Sequence, residues 1–149
     1  MMAKKILTGV DNSETALRAA EKAADLAAAL GAELHILSSY TVNMTEAVRI
    51  SHPEAYEKVV SQYAENAERT ASTVAEALHL GGAQLQISTT SGEGPPAAAL
   101  LREADAIGAD MIVVGNKRVQ GFTRFLGSVA RTIASEAHCD LYIVNTHQR

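Results

Sequence analysis

The sequence predicts a single-domain α/β fold, an open parallel five-stranded sheet with helices on both faces, spanning residues 1–149. Short apolar segments alternate with longer segments of helical spacing in the order β-α-β-α-β-α-β-α-β. This alternation is typical of parallel sheets with helical crossovers. The run Ile112–Gly115 has no polar position and fits a central strand that is buried on both faces. A chain of 149 residues suits one domain with its own core.

The predicted strands are short runs rich in aliphatic and β-branched residues. The third alternates apolar and polar side chains, so we expect it at an exposed edge of the sheet. The stretch Thr41–Ser51 has neither period and is predicted to be an irregular loop. In chain order the strands are Lys5–Val10, Glu33–Ser39, Gln84–Thr90, Met111–Gly115 and Leu141–Val144.

Four helices are predicted from apolar residues at helical spacing, and glycine, serine and proline mark their ends. Gly31 is the expected C-cap of the first helix, and Ser51 the expected N-cap of the second. Pro95-Pro96 precedes the third helix, and Gly127-Ser128 opens the fourth. The positions expected to be buried are Ala16, Ala20, Ala23, Ala27 and Leu30, then Val59, Val60, Tyr63, Ala67, Ala71, Val74 and Leu78, then Ala97, Leu100, Leu101, Ala104 and Ile107, then Ala130, Ile133, Ala134 and Ala137.

Composition argues against several partners. A net charge of −4 gives no general attraction to nucleic acid or to anionic membranes. The absence of tryptophan, with aromatic residues at only 4%, disfavours stacking platforms for single-stranded nucleic acid. No apolar run approaches the roughly 20 residues of a membrane span, and the N-terminal run is too short for a signal peptide. We expect neither a nucleic-acid nor a membrane partner.

Metal, disulfide and nucleophile chemistry find little support in the sequence. The five histidines lack metal-ligand spacing, and no G-x-S-x-G elbow occurs. The single cysteine, Cys139, cannot form an intrachain disulfide and fits a reducing cytoplasm. It lies between His138 and Asp140, but neighbours in an extended segment point to opposite faces, so we expect a packed, inert thiol.

The stretch Met111–Val129 suggests an anion site. Its strand ends at Gly115, where glycine allows the chain to leave the sheet, and Gly127-Ser128 then opens a helix. A helix N-terminus offers free N–H groups and the positive end of the helix dipole, so phosphate is the expected ligand. A solvated basic loop before an ordinary Ser-capped helix is the alternative. The positive charges of the loop are Lys117, Arg118 and Arg124.

The first strand ends in a second group of interest, Gly9-Val10-Asp11-Asn12-Ser13. In open α/β sheets, ligands bind outside the carboxyl ends of the strands, where the strand order reverses. Asp11 is placed there to accept a hydrogen bond from a ligand N–H or O–H. Alternatively, Asp11 or Ser13 simply caps the first helix, and one residue can do both.

Three segments, Val10–Leu37, Gly108–Arg118 and Leu126–Val144, together resemble the universal stress proteins. The resemblance covers nearly the whole chain. It implies the adenine nucleotide alpha hydrolase-like fold with strand order 3-2-1-4-5, and a ligand site between strands 1 and 4. Many members of that family bind ATP or another adenine nucleotide there.

The resemblance also assigns site residues by their match to the family motifs. Asp11 matches the aspartate that contacts adenosine, and Val10 matches its neighbour in the adenine pocket. Gly115 matches the first signature glycine, which lets the ribose approach. The helix start that cradles phosphate is matched by Gly127, Ser128 and Val129.

The signature of that family is glycine, two residues, a second glycine, nine residues, and then glycine followed by serine or threonine. The sequence departs from this signature at Arg118, which stands where the second glycine belongs. Eight residues, instead of nine, then separate it from Gly127, and Asn12 replaces the glycine common after the aspartate. A side chain at 118 either prevents close approach of phosphate or supplies a bidentate guanidinium contact in place of the lost N–H groups.

The expected function is that of a cytoplasmic stress-response sensor or regulator that binds an adenine nucleotide and is not a dedicated enzyme. One alternative is a family member that acts through protein partners without nucleotide. The other is a slow nucleotide hydrolase, against which stands the lack of an evident general base. The resemblance further implies a homodimer through the terminal strand, with Leu141 and Ile143 at the interface; the alternative is a monomer whose edge is shielded by Asn145–Arg149.

Overall fold

The computed structural model describes residues 4–116 and 127–146, which form five strands and five helices. The strands are β1 (Lys5–Gly9), β2 (Glu33–Tyr40), β3 (Ile87–Glu93), β4 (Met111–Gly115) and β5 (Asp140–Val144). The helices are α1 (Glu14–Leu30), α2 (Glu46–Ser51), α3 (Pro53–Leu80), α4 (Pro96–Ile107) and α5 (Ser128–Glu136).

The strands form one parallel sheet in the order β3-β2-β1-β4-β5, which confirms the predicted topology. The central strand β1 pairs with β2 on one side and with β4 on the other. Leu7 therefore lies between His35 and Ile112 in register. The order reverses at β1, because the chain first builds outward through β2 and β3 and then returns to place β4 and β5 on the opposite side.

Helices cover both faces, and each face has its own apolar core. Consecutive residues of a strand point to opposite faces, so Ile6 packs under α1 and α3 while Leu7 packs under α4 and α5. Ile112 and Val113 divide in the same way, and both are fully buried. The expectation that β4 is buried on both faces is thus confirmed.

Helix α1 begins and ends as its sequence predicts. The Ser13 hydroxyl accepts a hydrogen bond from the Ala16 N–H at 3.2 Å, and Gly31 ends the helix with a φ of 65° in the left-handed region. Leu30 was expected in the core but is 48% exposed, since it is the last residue of the helix. The buried face is made entirely of alanine, at positions 19, 20, 23, 24 and 27.

Strand β3 begins three residues later than predicted. The sequence favoured Gln84–Thr90, whereas the observed strand starts at Ile87. Its first paired residue is Ile87, opposite Leu34, and the preceding residues bring the chain back from the end of α3. Pairing with β2 sets this boundary, which a local pattern does not reveal. The predicted edge position of β3 is confirmed.

The segment Thr41–Ser51 is not an irregular loop throughout, because it contains α2. The Thr45 hydroxyl caps this helix, and Ser51 is its last residue, where its hydroxyl donates to the Ala47 carbonyl at 2.7 Å. Ser51 is therefore not the N-cap of the next helix. That position belongs to His52, which makes no capping side-chain bond.

Helix α3 extends beyond the sheet it covers. Its 28 residues span about 42 Å, while the seven residues of β3 span about 23 Å. Tyr63 was expected in the core but is 40% exposed, and Ala134 of α5 is likewise exposed against expectation, because both lie where their helices face solvent. No helix in the described ranges is long and apolar enough to cross a membrane.

Candidate functional site

A pocket of about 210 Å³ opens at the carboxyl ends of β1 and β4. This is the point where the strand order reverses: α1 leaves β1 toward one face of the sheet, and α5 follows β4 toward the other. Such a crevice is the usual ligand site of open α/β sheets. It is lined by Gly9, Val10, Asp11, Ser13, Thr15, Ala16, Ala19, Leu37, Ser39, Pro96, Leu100, Val114, Gly115 and Val129.

The chain that leaves β1 forms one wall. Val10 is buried, and its N–H donates to the Leu37 carbonyl at 2.8 Å, which continues the ladder past the strand end. The Asp11 carboxylate accepts the Ser13 N–H at 2.8 Å, while Ser13 itself caps α1. Asp11 therefore braces the turn and Ser13 is the cap. Asp11 is exposed at the pocket wall, where its carboxylate can face a ligand.

Close packing, and not a left-handed backbone, explains the glycines at the two strand ends. Neither Gly9 nor Gly115 has a positive φ. A Cβ on Gly9 would lie 3.0 Å from the Leu100 Cδ1 atom, and a Cβ on Gly115 would lie 3.1 Å from the Thr146 Cγ2 atom. The idea that Gly115 is needed for backbone freedom is thus wrong, and the position is instead one where a Cβ would press closely on the Thr146 methyl group.

Helix α5 starts beside the pocket. Its N-cap is Gly127, with extended angles of φ −64° and ψ 159°, so the predicted alternative of a Ser-capped helix is wrong. Ser128 is the first helical residue, and Val129 lines the pocket. The cap provides no side-chain hydrogen bond to the first N–H groups, and such groups have no partner within a helix. They can serve an anion.

The structure brings together four of the seven predicted site residues as pocket lining: Val10, Asp11, Gly115 and Val129. Gly127 and Ser128 lie immediately before Val129 at the start of α5. Arg118 falls outside the described residues, as do Lys117 and Arg124.

Comparison with known proteins identifies the family. Residues 2–145 match the sequence model of the universal stress protein family. The chain belongs to the universal stress proteins. A universal stress protein of Methanocaldococcus jannaschii is 30% identical over 142 residues, covering 95% of this chain and 81% of that protein.

Two solved structures show how far the likeness extends. A universal stress protein in complex with cAMP is 30% identical, with a TM-score of 0.67, and covers 99% of this chain and 100% of that one. The universal stress protein of Lactobacillus plantarum, at 20% identity, has a TM-score of 0.74 and covers 97% and 99% of the two chains. The fold is the adenine nucleotide alpha hydrolase-like fold of this family.

Sequence reasoning missed eight of the 14 residues that line the pocket of this universal stress protein. The missed residues come from the first turns of α1, from the end of β2, from α4 and from β4, and their types are ordinary for core positions. The one sequence signal among them was Pro95-Pro96, which marked the start of the third helix and hence the turn that leaves β3. The missed lining residues are Thr15, Ala16, Ala19, Leu37, Ser39, Pro96, Leu100 and Val114.

Two groups elsewhere in this universal stress protein have shifted acidities. Burial, followed by the nearby Asp140 carboxylate, raises the pKa of the Cys139 thiol, which fits a packed cysteine of low reactivity. Burial, followed by Glu93, raises the pKa of the Tyr40 phenol, so that group stays neutral near pH 7. Within residues 4–116 and 127–146, no three His, Cys, Asp or Glu side chains gather as a metal-binding group.

Proposed function

We propose that this universal stress protein is a cytoplasmic regulator that binds an adenine nucleotide between β1 and β4. The observation that supports this proposal most directly is the pocket where the strand order reverses. The Asp11 carboxylate lies at one wall of this pocket, and the N-terminus of α5 lies at the other. A second pocket, along the exposed side of α3, lies away from the strand ends and has neither feature; it is lined by Glu54, Glu57, Lys58, Ser61, Gln62 and Glu65.

The lining suits the parts of a nucleotide. Val10, Leu37 and Leu100 provide apolar contacts for the adenine ring, which stacks and packs as a flat apolar surface. Asp11 is suited to accept hydrogen bonds from ribose hydroxyls. Gly127 and Ser128 place the first N–H groups of α5 where a phosphate is expected.

The similar protein solved with cAMP supports this ligand class, because it is 30% identical over essentially its full length. A regulatory role is favoured over catalysis because, among the described residues, Asp11 is the sole carboxylate that lines the pocket. A hydrolase would need a general base near the attacked phosphate. The rival in which the protein works through partners alone remains an outcome of the test.

Thermal-shift measurements with AMP, ADP, ATP and cyclic AMP test the proposal. A ligand present at a hundred times its Kd should stabilise the fold by about 2.7 kcal/mol and raise Tm accordingly. Matched concentrations of GMP and GTP serve as controls for general anion binding. If none of the four adenine nucleotides shifts Tm at millimolar concentration, the partner-only function replaces this one.

The arginine at position 118, where the family signature has glycine, gives a second prediction. If the guanidinium replaces the missing N–H groups, Arg118→Ala should lower the affinity for ATP more than that for adenosine. If the side chain instead obstructs the phosphates, Arg118→Gly should create or improve ATP binding. Calorimetry on both variants separates these results, and equal small effects on ATP and adenosine would remove Arg118 from the site.

A homodimer through β5 completes the proposal. β5 is the outer strand next to β4, and it carries half-buried Leu141 and Ile143. An uncovered strand edge is a template for pairing with a second chain. A two-fold axis at this edge would join two five-stranded sheets into one, with the same residues contributed by each copy.

A further inference from the structure

The chain that leaves β5 is tied to the residue that follows β4. Asn116 comes directly after Gly115 and is 8% exposed, and its N–H donates to the Val144 carbonyl at 3.0 Å. Its side-chain oxygen accepts both the N–H and the hydroxyl of Thr146, each at 3.0 Å. Its side-chain nitrogen donates to the Asn145 side-chain oxygen at 3.2 Å. We call the pair Asn116 and Thr146 the clasp.

The amide orientation at Asn116 follows from the chemistry of its partner. A backbone N–H only donates, so the side-chain atom that faces the Thr146 N–H must be the oxygen. Both clasp residues are buried, at 8% and 5% exposure, so loss of either partner would leave a polar group without water to replace it. The clasp is therefore a specific pairing of two buried groups.

Thr146 also stands behind the pocket wall. Its methyl carbon lies 3.1 Å from the place of the Cβ that Gly115 lacks, and the Ala19 methyl carbon lies 3.8 Å from the same place. Gly115 and Ala19 both line the pocket. The Thr146 carbonyl accepts a hydrogen bond from Arg18 of α1 at 3.2 Å. Thr146, which lies just beyond the end of β5, thus contacts both β4 and α1, the two elements that form this wall.

We infer that Asn116 and Thr146 are positioning residues of the nucleotide site: the clasp fixes the end of β4, and thereby Gly115, at the distance from α1 that the ligand requires. This inference rests on the proposed nucleotide binding. The clasp residues do not line the pocket, so they act through Gly115 and Ala19.

Thr146→Val tests the inference because it removes the hydroxyl and keeps the shape. Calorimetry with cAMP and with ATP should give a Kd roughly three- to tenfold weaker than that of the unmodified protein, the worth of one hydrogen bond. Thr146→Ser restores the hydroxyl and should bring the affinity back. Thr89→Val is the matched control: it removes a part-buried threonine bond, to Glu68, on the opposite edge of the sheet.

A ligand-free measurement keeps the two proposals separate. Amide hydrogen exchange at Asn116, whose N–H is bonded to Val144, should accelerate in Thr146→Val but not in Thr146→Ser or Thr89→Val. If exchange accelerates while the unmodified protein binds neither nucleotide, the proposed function fails, and what stands is that the clasp holds the end of β4 without a role at a ligand site.

Three results would overturn the inference. The first is unchanged exchange at Asn116 in Thr146→Val, whatever the affinity. The second is faster exchange with undiminished affinity in a protein that does bind nucleotide. The third is an equal loss of affinity in Thr89→Val, because a general loss of stability would then explain both variants.

Discussion

Ile143→Pro should weaken the proposed homodimer roughly 30- to 150-fold and give a monomer at micromolar concentration. Asp140 donates to the Asp110 carbonyl, and the Val144 carbonyl accepts from Asn116, so the even-numbered residues of β5 bond to β4. The backbone groups of Leu141 and Ile143 therefore face the outer edge. Two-fold symmetry doubles the loss of a bond worth about 1–1.5 kcal/mol.

Two further variants separate edge pairing from folding. Ile143→Ala removes the half-buried side chain but keeps the N–H, so it should lower stability and weaken the dimer far less than Ile143→Pro does. Tyr142→Pro removes a donor directed at β4 and should destabilise the sheet itself. Light scattering of the unmodified protein comes first: a monomer mass at micromolar concentration would contradict the dimer, and its edge would then be shielded in another way.

Asp11→Ala should weaken binding of the adenine nucleotide that gives the largest thermal shift, by about 1–3 kcal/mol or roughly 5- to 150-fold. The carboxylate lies at the pocket wall and is suited to accept from ribose hydroxyls. The substitution leaves no core cavity because the side chain is exposed, so the fold should persist. Calorimetry gives the affinity, and thermal unfolding without ligand gives the stability.

Asp11→Asn is the matched control for the structural role of this side chain. Its amide oxygen can still accept the Ser13 N–H, so the turn before α1 is retained while the negative charge is lost. We expect its ligand-free Tm to equal that of the unmodified protein and its affinity to fall less than that of the alanine variant. Unchanged affinity in folded Asp11→Ala would restrict this residue to bracing the turn.

Local sequence features were sufficient where the physical cause is local. Ser13 and Gly31 marked the ends of α1 because a capping hydroxyl and a left-handed φ each depend on one residue. The purely apolar run Ile112–Gly115 identified a strand covered on both faces. Asp11 was found as a pocket residue through its place beside a strand end, whereas Val129 was found through the resemblance to the family motif.

Boundaries set by distant partners could not be read in this way. The start of β3 depends on its pairing with Leu34, and the exposure of Tyr63 depends on how far α3 outreaches the sheet. α2 makes no buried apolar face, so its short segment had no period to detect.

The sequence by itself determined the order of the elements apart from α2, the absence of an intrachain disulfide in a chain with one cysteine, and the residue types at the ends of β1 and β4. The tertiary structure decided which residues complete the pocket. It also decided that the space beside Thr146 is narrow at position 115, and that Asn116 is hydrogen-bonded to Thr146, 30 positions away. The physical reason is distance along the chain: caps and periodicity act within a few residues, whereas contacts between strand ends arise only when the sheet assembles.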